Sequence, residues 1–153
     1  DQGIFKTYFL DIGLLNSLLR LDIDILDEEF KNNFSTKGKI SEQYVAQTLA
    51  FFDGNTSASN LLYHLKDKGI QKGEIDFLIE NNGQIFPIEV KAGASGHLKS
   101  LKKFCETKKT KIAIKTSLAK FSIEENFVGK TKLVNIPLYA IDYLKENISF
   151  ISN

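Results

Sequence analysis

Apolar and polar residues alternate between positions 73 and 92, on both sides of the pair Asn82-Gly83. Asn-Gly is a typical two-residue hairpin turn, because both turn positions need a positive φ that these residues tolerate. Counting outward from the turn predicts an antiparallel hairpin with one wholly apolar face. Its cross-strand pairs are Ile79 with Phe86, Phe77 with Ile88, and Ile75 with Val90. We expect this face to lie in the core.

The opposite face of the predicted hairpin is charged. The same count places Asp76 opposite Glu89, and Glu74 opposite Lys91. Directly opposed side chains have Cβ atoms about 4.5–5.5 Å apart, so two carboxylates there repel each other unless a cation neutralises them. Mg²⁺ or Mn²⁺ suits such oxygen ligands, and Lys91 would orient a water or balance charge on a phosphate. The alternative is a solvent-facing strand with mixed charges, in which Glu74 and Lys91 form an ordinary pair.

A helical pattern from Ile40 to Phe52 precedes the hairpin. Its apolar residues follow Glu42 at helical spacing, at Val45, Ala46, Leu49 and Phe52. Glu42 is therefore predicted on the inward face, where a carboxylate is costly unless it is paired or binds a cation. This makes Glu42 a candidate third acid. The alternative is that Ser41 caps the helix and Glu42 only complements the helix dipole in the first turn.

Further elements are predicted on both sides of this region. Towards the N-terminus these are a strand over Lys6–Leu10, a helix capped by Asp11 with Leu14, Leu15, Leu18 and Leu19 as its packing stripe, and a strand through Leu61, Tyr63 and Leu65. Towards the C-terminus these are a helix starting near Ser95 or Gly96 with Leu98, Leu101, Phe104 and Cys105 inside, strands over Lys111–Thr116 and Lys132–Ile136, and a helix from Pro137 through Leu144.

Length and composition predict one globular domain over residues 1–153. Apolar residues make up 42% and charged residues 25% of the chain, which is ordinary for a soluble protein. Since no apolar run approaches the length of a membrane span, we expect a cytoplasmic protein without a membrane partner. One cysteine and two histidines exclude an internal disulfide and argue against a zinc cluster or a nucleophile–histidine pair. Because the sequence begins at Asp1 without Met, we expect a fragment of a longer protein.

Charge is distributed unevenly along the chain. Residues 1–90 hold 8 Lys and Arg against 14 Asp and Glu, whereas residues 91–132 hold 11 against 3. Lysines next to the predicted acids would attract a nucleic-acid backbone. The candidate contacts are His97, Lys99, Lys102 and Lys103. The alternative is that these side chains form a solvated face.

The order of elements from residue 40 to residue 116 resembles the core of the PD-(D/E)xK phosphodiesterase superfamily, which includes restriction endonucleases and Holliday-junction resolvases. The matching residues are Glu42 on the helix, Asp76 and Glu89 as metal acids, and Lys91. Ile75 stands where the motif has proline. The resemblance implies an α/β fold with an αβββαβ core and a mixed central sheet of four or more strands flanked by helices. It also implies Mg²⁺ or Mn²⁺ held by Asp76, Glu89, Glu42 and the Val90 carbonyl.

A second resemblance extends over nearly the whole chain. The phrases KTYFLDIGLLNSLL, ISEQYVAQTL, LLYHL, GEIDFLIE, FPIEVKAG, LKSLKKF and NIPLYAIDYL are similar to the uncharacterised C-terminal domain of bacterial AAA-type ATPases. This implies an ATP-binding module before Asp1 as the partner of this domain. The chain itself has no Gly-x-x-x-x-Gly-Lys-Ser/Thr loop, so we expect no ATP hydrolysis by residues 1–153.

Two functions follow as expectations. The first is divalent-metal-dependent hydrolysis of phosphodiester bonds, in DNA rather than RNA, with Glu42, Asp76, Glu89 and Lys91 as the site. The second is a catalytically inactive module that binds nucleic acid or a protein for the attached ATPase. The oligomeric state, the substrate structure and the sequence preference stay open.

Overall fold

The computed structural model describes residues 5–19, 34–50, 61–66, 73–93, 97–144 and 147–148. Two helices and three strands come first: α1 (Ile12–Leu18), α2 (Phe34–Ala50), β1 (Leu62–Lys66), β2 (Gly73–Asn81) and β3 (Gln84–Val90). They are followed by α3 (Lys99–Lys108), β4 (Ile112–Ser117), β5 (Ser122–Val128), β6 (Thr131–Pro137) and the 3₁₀ helix η1 (Leu138–Tyr143).

The six strands form one mixed sheet in the order β1-β2-β3-β4-β6-β5. The β3–β4 and β4–β6 pairs are parallel, and the other pairs are antiparallel. Parallel neighbours need a crossover, and α3 provides it between β3 and β4. The prediction of an α/β fold with a mixed sheet flanked by helices is therefore confirmed.

Each face of the sheet carries its own hydrophobic core. The α2-side core contains Val45, Leu49, Phe77, Phe86, Ile88, Ile114, Val134, Ile136 and Ile141. The α3-side core contains Ile75, Leu101, Phe104, Cys105, Ala113, Phe127 and Leu133. Alternation along β4 and β6 sends neighbouring residues to opposite cores, which buries these two strands on both faces, as is usual where parallel strands lie beneath helices.

The predicted hairpin turn and its register are confirmed. Asn82 and Gly83 have φ values of 51° and 74°, as the Asn-Gly turn requires. The β2–β3 ladder runs from Asn81 opposite Gln84 to Phe77 opposite Ile88. The sequence signal succeeded here because turn chemistry and alternation are both local.

The predicted single apolar face is wrong at Ile75. Leu62 is paired with Leu78, and His64 is paired with Ile75. Between these two pairs β1 advances by two residues and β2 by three. This extra residue shifts the alternation, as a β-bulge does. Ile75 therefore packs in the α3-side core while Phe77 packs in the α2-side core. The β2–β3 ladder also ends at Phe77 and does not include the predicted Asp76–Glu89 pair.

The N-terminal elements differ from their predictions. Residues 5–10 form no strand, although Asp11 does cap α1 by accepting hydrogen bonds from the backbone N–H groups of Gly13 and Leu14. The packing stripe is not buried, since α1 contains no buried residue and Leu14 and Leu18 are exposed. Apolar spacing of 3.6 residues predicted the helix correctly but said nothing about which surface would cover it.

α2 begins six residues earlier than Ile40, so Gly38 and Ser41 lie inside it. Its predicted inward residues Val45, Ala46 and Leu49 are buried, and Phe52 lies outside the described residues. Glycine in a helix interior costs only about 1 kcal/mol, which packing of the other face can offset. A cap at Ser41 is therefore a wrong prediction.

The C-terminal half has one strand more than predicted. α3 begins at Lys99, and the predicted start at Ser95 or Gly96 lies outside the described residues. β4 and β6 confirm the predicted strands, but β5 was missed because its side chains are mostly exposed and charged or polar. A helix does follow at the predicted place, but it is 3₁₀ and spans Leu138–Tyr143, with Pro137 as its N-cap and the last residue of β6.

Within the described residues, no helix is both long enough and apolar enough to cross a membrane.

Replacing Ile114 by Ala should lower the free energy of unfolding by about 2–5 kcal/mol, because its fully buried side chain fills the α2-side core. Ile85→Ala is the matched control, since Ile85 lies in the same sheet but is 49% exposed, and it should cost less than about 1 kcal/mol. Urea denaturation of both variants measures the difference. Equal losses would show that the central sheet does not carry the core as described.

Candidate metal centre

Asp76 lies where the ladder between β2 and β3 stops. Its Oδ2 accepts a hydrogen bond from the backbone N–H of Val90 at 2.8 Å. The Asp76 side chain thus takes the place of a carbonyl on β2 as the partner of this N–H group. Since the N–H and C=O of a strand residue point towards the same neighbour, the Val90 carbonyl also faces β2. The Asp76 carboxylate and the Val90 carbonyl therefore both lie at the end of the β2–β3 ladder, next to the irregularity in β2.

Glu89 is the neighbouring acid on β3 and is only 8% exposed. Its Oε1 accepts from Nζ of Lys91 at 2.7 Å. Its Oε2 is buried and has no hydrogen-bond partner within the described part of the chain. A buried carboxylate oxygen without a partner is costly, so this atom could accept a bond from a cation or a hydrogen-bond donor.

The electrostatics of the two acids reflect their closeness. Burial, and then the charge of Glu89, raise the pKa of Asp76 to about 7, although the hydrogen bond from Val90 opposes this. Burial also raises the pKa of Glu89, while the hydrogen bond and the charge of Lys91 act against the increase. A second negative charge is therefore disfavoured here, and a divalent cation would relieve both effects.

Glu42 projects from α2 towards the same region. Its Oε1 accepts hydrogen bonds from Nζ of Lys6 at 2.8 Å and from the hydroxyl of Tyr8 at 2.7 Å. Glu42 lies eight residues after the helix start at Phe34, so the alternative that it complements the helix dipole in the first turn is wrong. Its inward orientation fits the periodicity argument, and its role as a metal ligand stays a prediction.

Lys6 and Tyr8 are the site residues that sequence reasoning missed. Lys6 bridges Glu42 and Glu74, and the Tyr8 ring packs on Phe77 with centroids 5.8 Å apart. Burial alone would lower the pKa of Lys6, but the two carboxylates raise it overall, so the ammonium group stays charged. The contacts join residues more than thirty positions apart, and no local pattern could indicate them.

The predicted cross-strand pair between Glu74 and Lys91 is wrong. Glu74 lies opposite Leu65 of β1 and contacts Lys6, whereas Lys91 contacts Glu89. The same irregularity that displaces Ile75 explains this, because the register counted from the turn does not extend past Phe77.

The predicted nucleic-acid contacts lie on α3 and just before it. His97, Lys99, Lys102 and Lys103 are all exposed. Nζ of Lys102 lies 4.9 Å from the centre of the Phe127 ring, and Lys103 forms a long pair of 3.8 Å with Glu106. Exposed pairs of this kind contribute little to stability, so these side chains can turn towards a ligand.

The site offers a small set of oxygen ligands for a divalent cation. Among the described residues, no group of three or more His, Cys, Asp or Glu side chains is arranged to hold a metal ion. Asp76 and Glu89 remain as two adjacent carboxylates with a buried oxygen available on Glu89. Mg²⁺ is commonly bound by one or two carboxylates together with water and substrate phosphates, so this smaller donor set fits it.

Comparison with known proteins gives one family. A model for a family described as a domain of unknown function (DUF4143) matches residues 37–139, which is more than half of the chain. The matched range includes Glu42, Asp76, Glu89 and Lys91 but neither Lys6 nor Tyr8. No curated protein matches the chain.

The metal-free protein should lose stability as the pH rises from about 4 to about 7. Asp76 titrates near 3.8 when unfolded and near 7 when folded, so between these values the folded state binds the additional proton and the free energy of unfolding falls with pH. The loss is on the order of a few kcal/mol, because one pKa unit corresponds to about 1.4 kcal/mol. Urea denaturation in chelator across this range measures it.

Asp76→Asn should remove most of this slope, because an amide does not titrate. The same substitution at the exposed Asp142 should leave the slope as it is in the wild type. A slope that persists in Asp76→Asn would contradict the assignment.

Proposed function

Since this chain belongs to the family described as a domain of unknown function (DUF4143), we propose a function from its site: divalent-metal-dependent hydrolysis of phosphodiester bonds in DNA, and less readily in RNA. The observation that carries the proposal is the buried, unpartnered Oε2 of Glu89 beside the Asp76 carboxylate. An ordinary surface strand would leave such an oxygen to solvent or to a hydrogen-bond donor.

The charge balance of the site supports binding of a dication. The described cluster contains four carboxylates and two ammonium groups. The acids are Glu42, Glu74, Asp76 and Glu89, and the cations are Lys6 and Lys91. The formal charge left over is −2, which one Mg²⁺ or Mn²⁺ would neutralise. A buried excess of negative charge is otherwise costly.

Each residue then has a distinct role. Asp76, Glu89 and the Val90 carbonyl would hold the ion, and Glu42 would complete the site through water. The ion, when bound, supplies Lewis-acid stabilisation of the phosphate and a more acidic water. Lys91 is held against Glu89 and would orient the attacking water or balance charge on the phosphate.

The order of elements also supports the proposal. The helix α2, the strands β1, β2 and β3, the helix α3 and the strand β4 follow each other as expected of a restriction-endonuclease-like core. The exposed lysines of α3 would attract the phosphate backbone without reading its sequence. An ATPase module in the same protein, and a cytoplasmic location, are part of this proposal.

A second candidate is a catalytically inactive module that binds nucleic acid. The observation in its favour is that His97, Lys99, Lys102 and Lys103 are exposed together, whereas the acids are half-buried or buried. In this case DNA would bind through the basic residues, and the acids would only stabilise the fold.

Mn²⁺ titration by calorimetry should separate the metal site from a purely structural one. Asp76→Asn and Glu89→Gln should each weaken binding by at least about 10-fold, since even groups that only support a metal ligand are worth about 10- to 100-fold. Glu106→Gln is the control, because Glu106 is an exposed acid on α3. Unchanged affinity in both site variants, or an equal loss in the control, would refute the metal assignment.

Cleavage of linear and branched DNA with Mg²⁺ should test the reaction. Lys91→Ala should bind Mn²⁺ at least as tightly as the wild type, because removing a nearby positive charge does not weaken cation binding. Its cleavage rate should fall by at least about 100-fold, the usual scale for one positioned catalytic group. Lys130→Ala, at an exposed lysine in the β5–β6 turn, is the control.

Two outcomes of this assay would count against the proposal. Cleavage that survives in Asp76→Asn would show that another site is responsible. DNA binding that weakens with salt, is unaffected by Mg²⁺ and is accompanied by no cleavage would select the inactive binding module.

A further inference from the structure

The segment at residues 5–12 brings a positive charge into the acidic cluster. Nζ of Lys6 lies 2.8 Å from Oε1 of Glu42 and also contacts the Glu74 carboxylate. The charge of Lys6 acts on Asp76 and Glu89 as well, since it lowers the pKa of both acids. One ammonium group therefore interacts with all four carboxylates of the site.

The position of Lys6 is further defined by an aromatic ring. Nζ lies 5.5 Å from the centre of the Tyr63 ring of β1, a geometry that favours a cation over the ring face. Two carboxylates and one ring face surround the ammonium group, which is the kind of environment that binds a cation.

Residues 5–12 are held in place by contacts that do not depend on the Lys6 charge. The side-chain amide of Gln43 accepts from the Phe9 N–H at 2.9 Å and donates to the Phe9 carbonyl at 2.7 Å. Oε1 of Gln47 accepts from the Ile12 N–H at 2.8 Å. Side chains of α2 thus bind the backbone of this segment and fix its position. Lys6 extends into the site from this fixed backbone.

The two halves of the site each contain two carboxylates and one ammonium group, but they differ in hydrogen bonding. Glu42 has two hydrogen-bond donors on one oxygen, Lys6 and Tyr8, and Glu74 shares the same ammonium group. Glu89, by contrast, keeps a buried oxygen without any partner. The position between Glu42 and Glu74 is therefore already occupied by an ammonium group, whereas Oε2 of Glu89, beside Asp76, has no partner among the described residues.

We propose that the ammonium group of Lys6 is a built-in cation that fills the half of the site formed by Glu42 and Glu74, so that the chain binds one divalent cation and not two. This inference rests on the proposed function, because it assumes that Asp76 and Glu89 hold that one ion. Hydrolysis would then rely on a single metal ion, with the Lys6 ammonium group supplying a further positive charge in the site.

Replacing Lys6 should convert a one-ion site into a two-ion site. Mn²⁺ binding is measured by calorimetry, with the bound ions counted by electron paramagnetic resonance. The wild type and Lys6→Arg, which keeps the charge, should bind one Mn²⁺ per chain. Lys6→Met keeps the length of the side chain but removes its charge, and it should bind two. Adding Glu42→Gln to Lys6→Met should restore one, because the second position then loses a ligand.

Glu42→Gln by itself keeps the test valid even if Lys6→Met does not fold. It leaves Lys6 with Glu74 and should still bind one Mn²⁺, with affinity lowered by no more than about 100-fold, since Glu42 acts on the single ion through water and not as a direct ligand. Loss of binding in Glu42→Gln would overturn the inference, because Glu42 would then be a ligand. Binding of two ions by the wild type would overturn it as well.

The remaining outcomes separate this inference from the proposed function. One ion in both the wild type and Lys6→Met, with equal affinity, would refute the role of Lys6 and leave the proposed metal site intact. No ion in the wild type but one in Lys6→Met would support Lys6 as the resident cation and refute the site at Asp76 and Glu89. No binding in either protein would refute both.

Discussion

Burial of negative charge at the ends of β2 and β3 is the constraint on which the rest of the site depends. A carboxylate that leaves water needs a hydrogen bond or a counter-charge, and four acids gather here. Most of the compensation is visible: Val90 donates to Asp76, Lys91 to Glu89, and Lys6 and Tyr8 to Glu42. The second oxygen of Glu89 has no partner among the described residues, and it is the position where we propose a bound ion.

The same constraint explains why β2 is irregular where it is. In a regular ladder, the Asp76 side chain would lie on one face of the sheet, and the Asp76 backbone would lie opposite that of Glu89. Instead the strand gains a residue, Ile75 moves to the α3-side core, and the Asp76 carboxylate bonds to the backbone of β3. Bulges commonly re-aim a side chain next to a functional site. The apolar residues around it are still buried, so the fold does not lose core packing through this change.

The features that could be predicted from sequence depend on local rules. The Asn82-Gly83 turn and alternating residues fixed the register from Asn81 to Phe77, and helical spacing found the inward side of α2. The features that were missed depend on contacts between distant segments. Lys6 contacts Glu42, which lies more than thirty positions away in the sequence. β5 is stabilised by its pairing with β6. The energy of such pairing does not appear as a periodic pattern of apolar residues in the sequence of the strand.

Family membership and fold do not by themselves decide what the site does, because the same scaffold can carry different chemistries or none. The stronger argument is the asymmetry within the site. If the acids were only structural, selection for stability would favour compensation of all of them alike, since each unpaired buried oxygen is costly. Both halves contain two carboxylates and one ammonium group, but the half with Glu89 keeps a buried oxygen that has no partner among the described residues, next to the Asp76 carboxylate with its raised pKa. One unpaired buried oxygen within an otherwise paired cluster is expected of a site that binds a ligand at that oxygen.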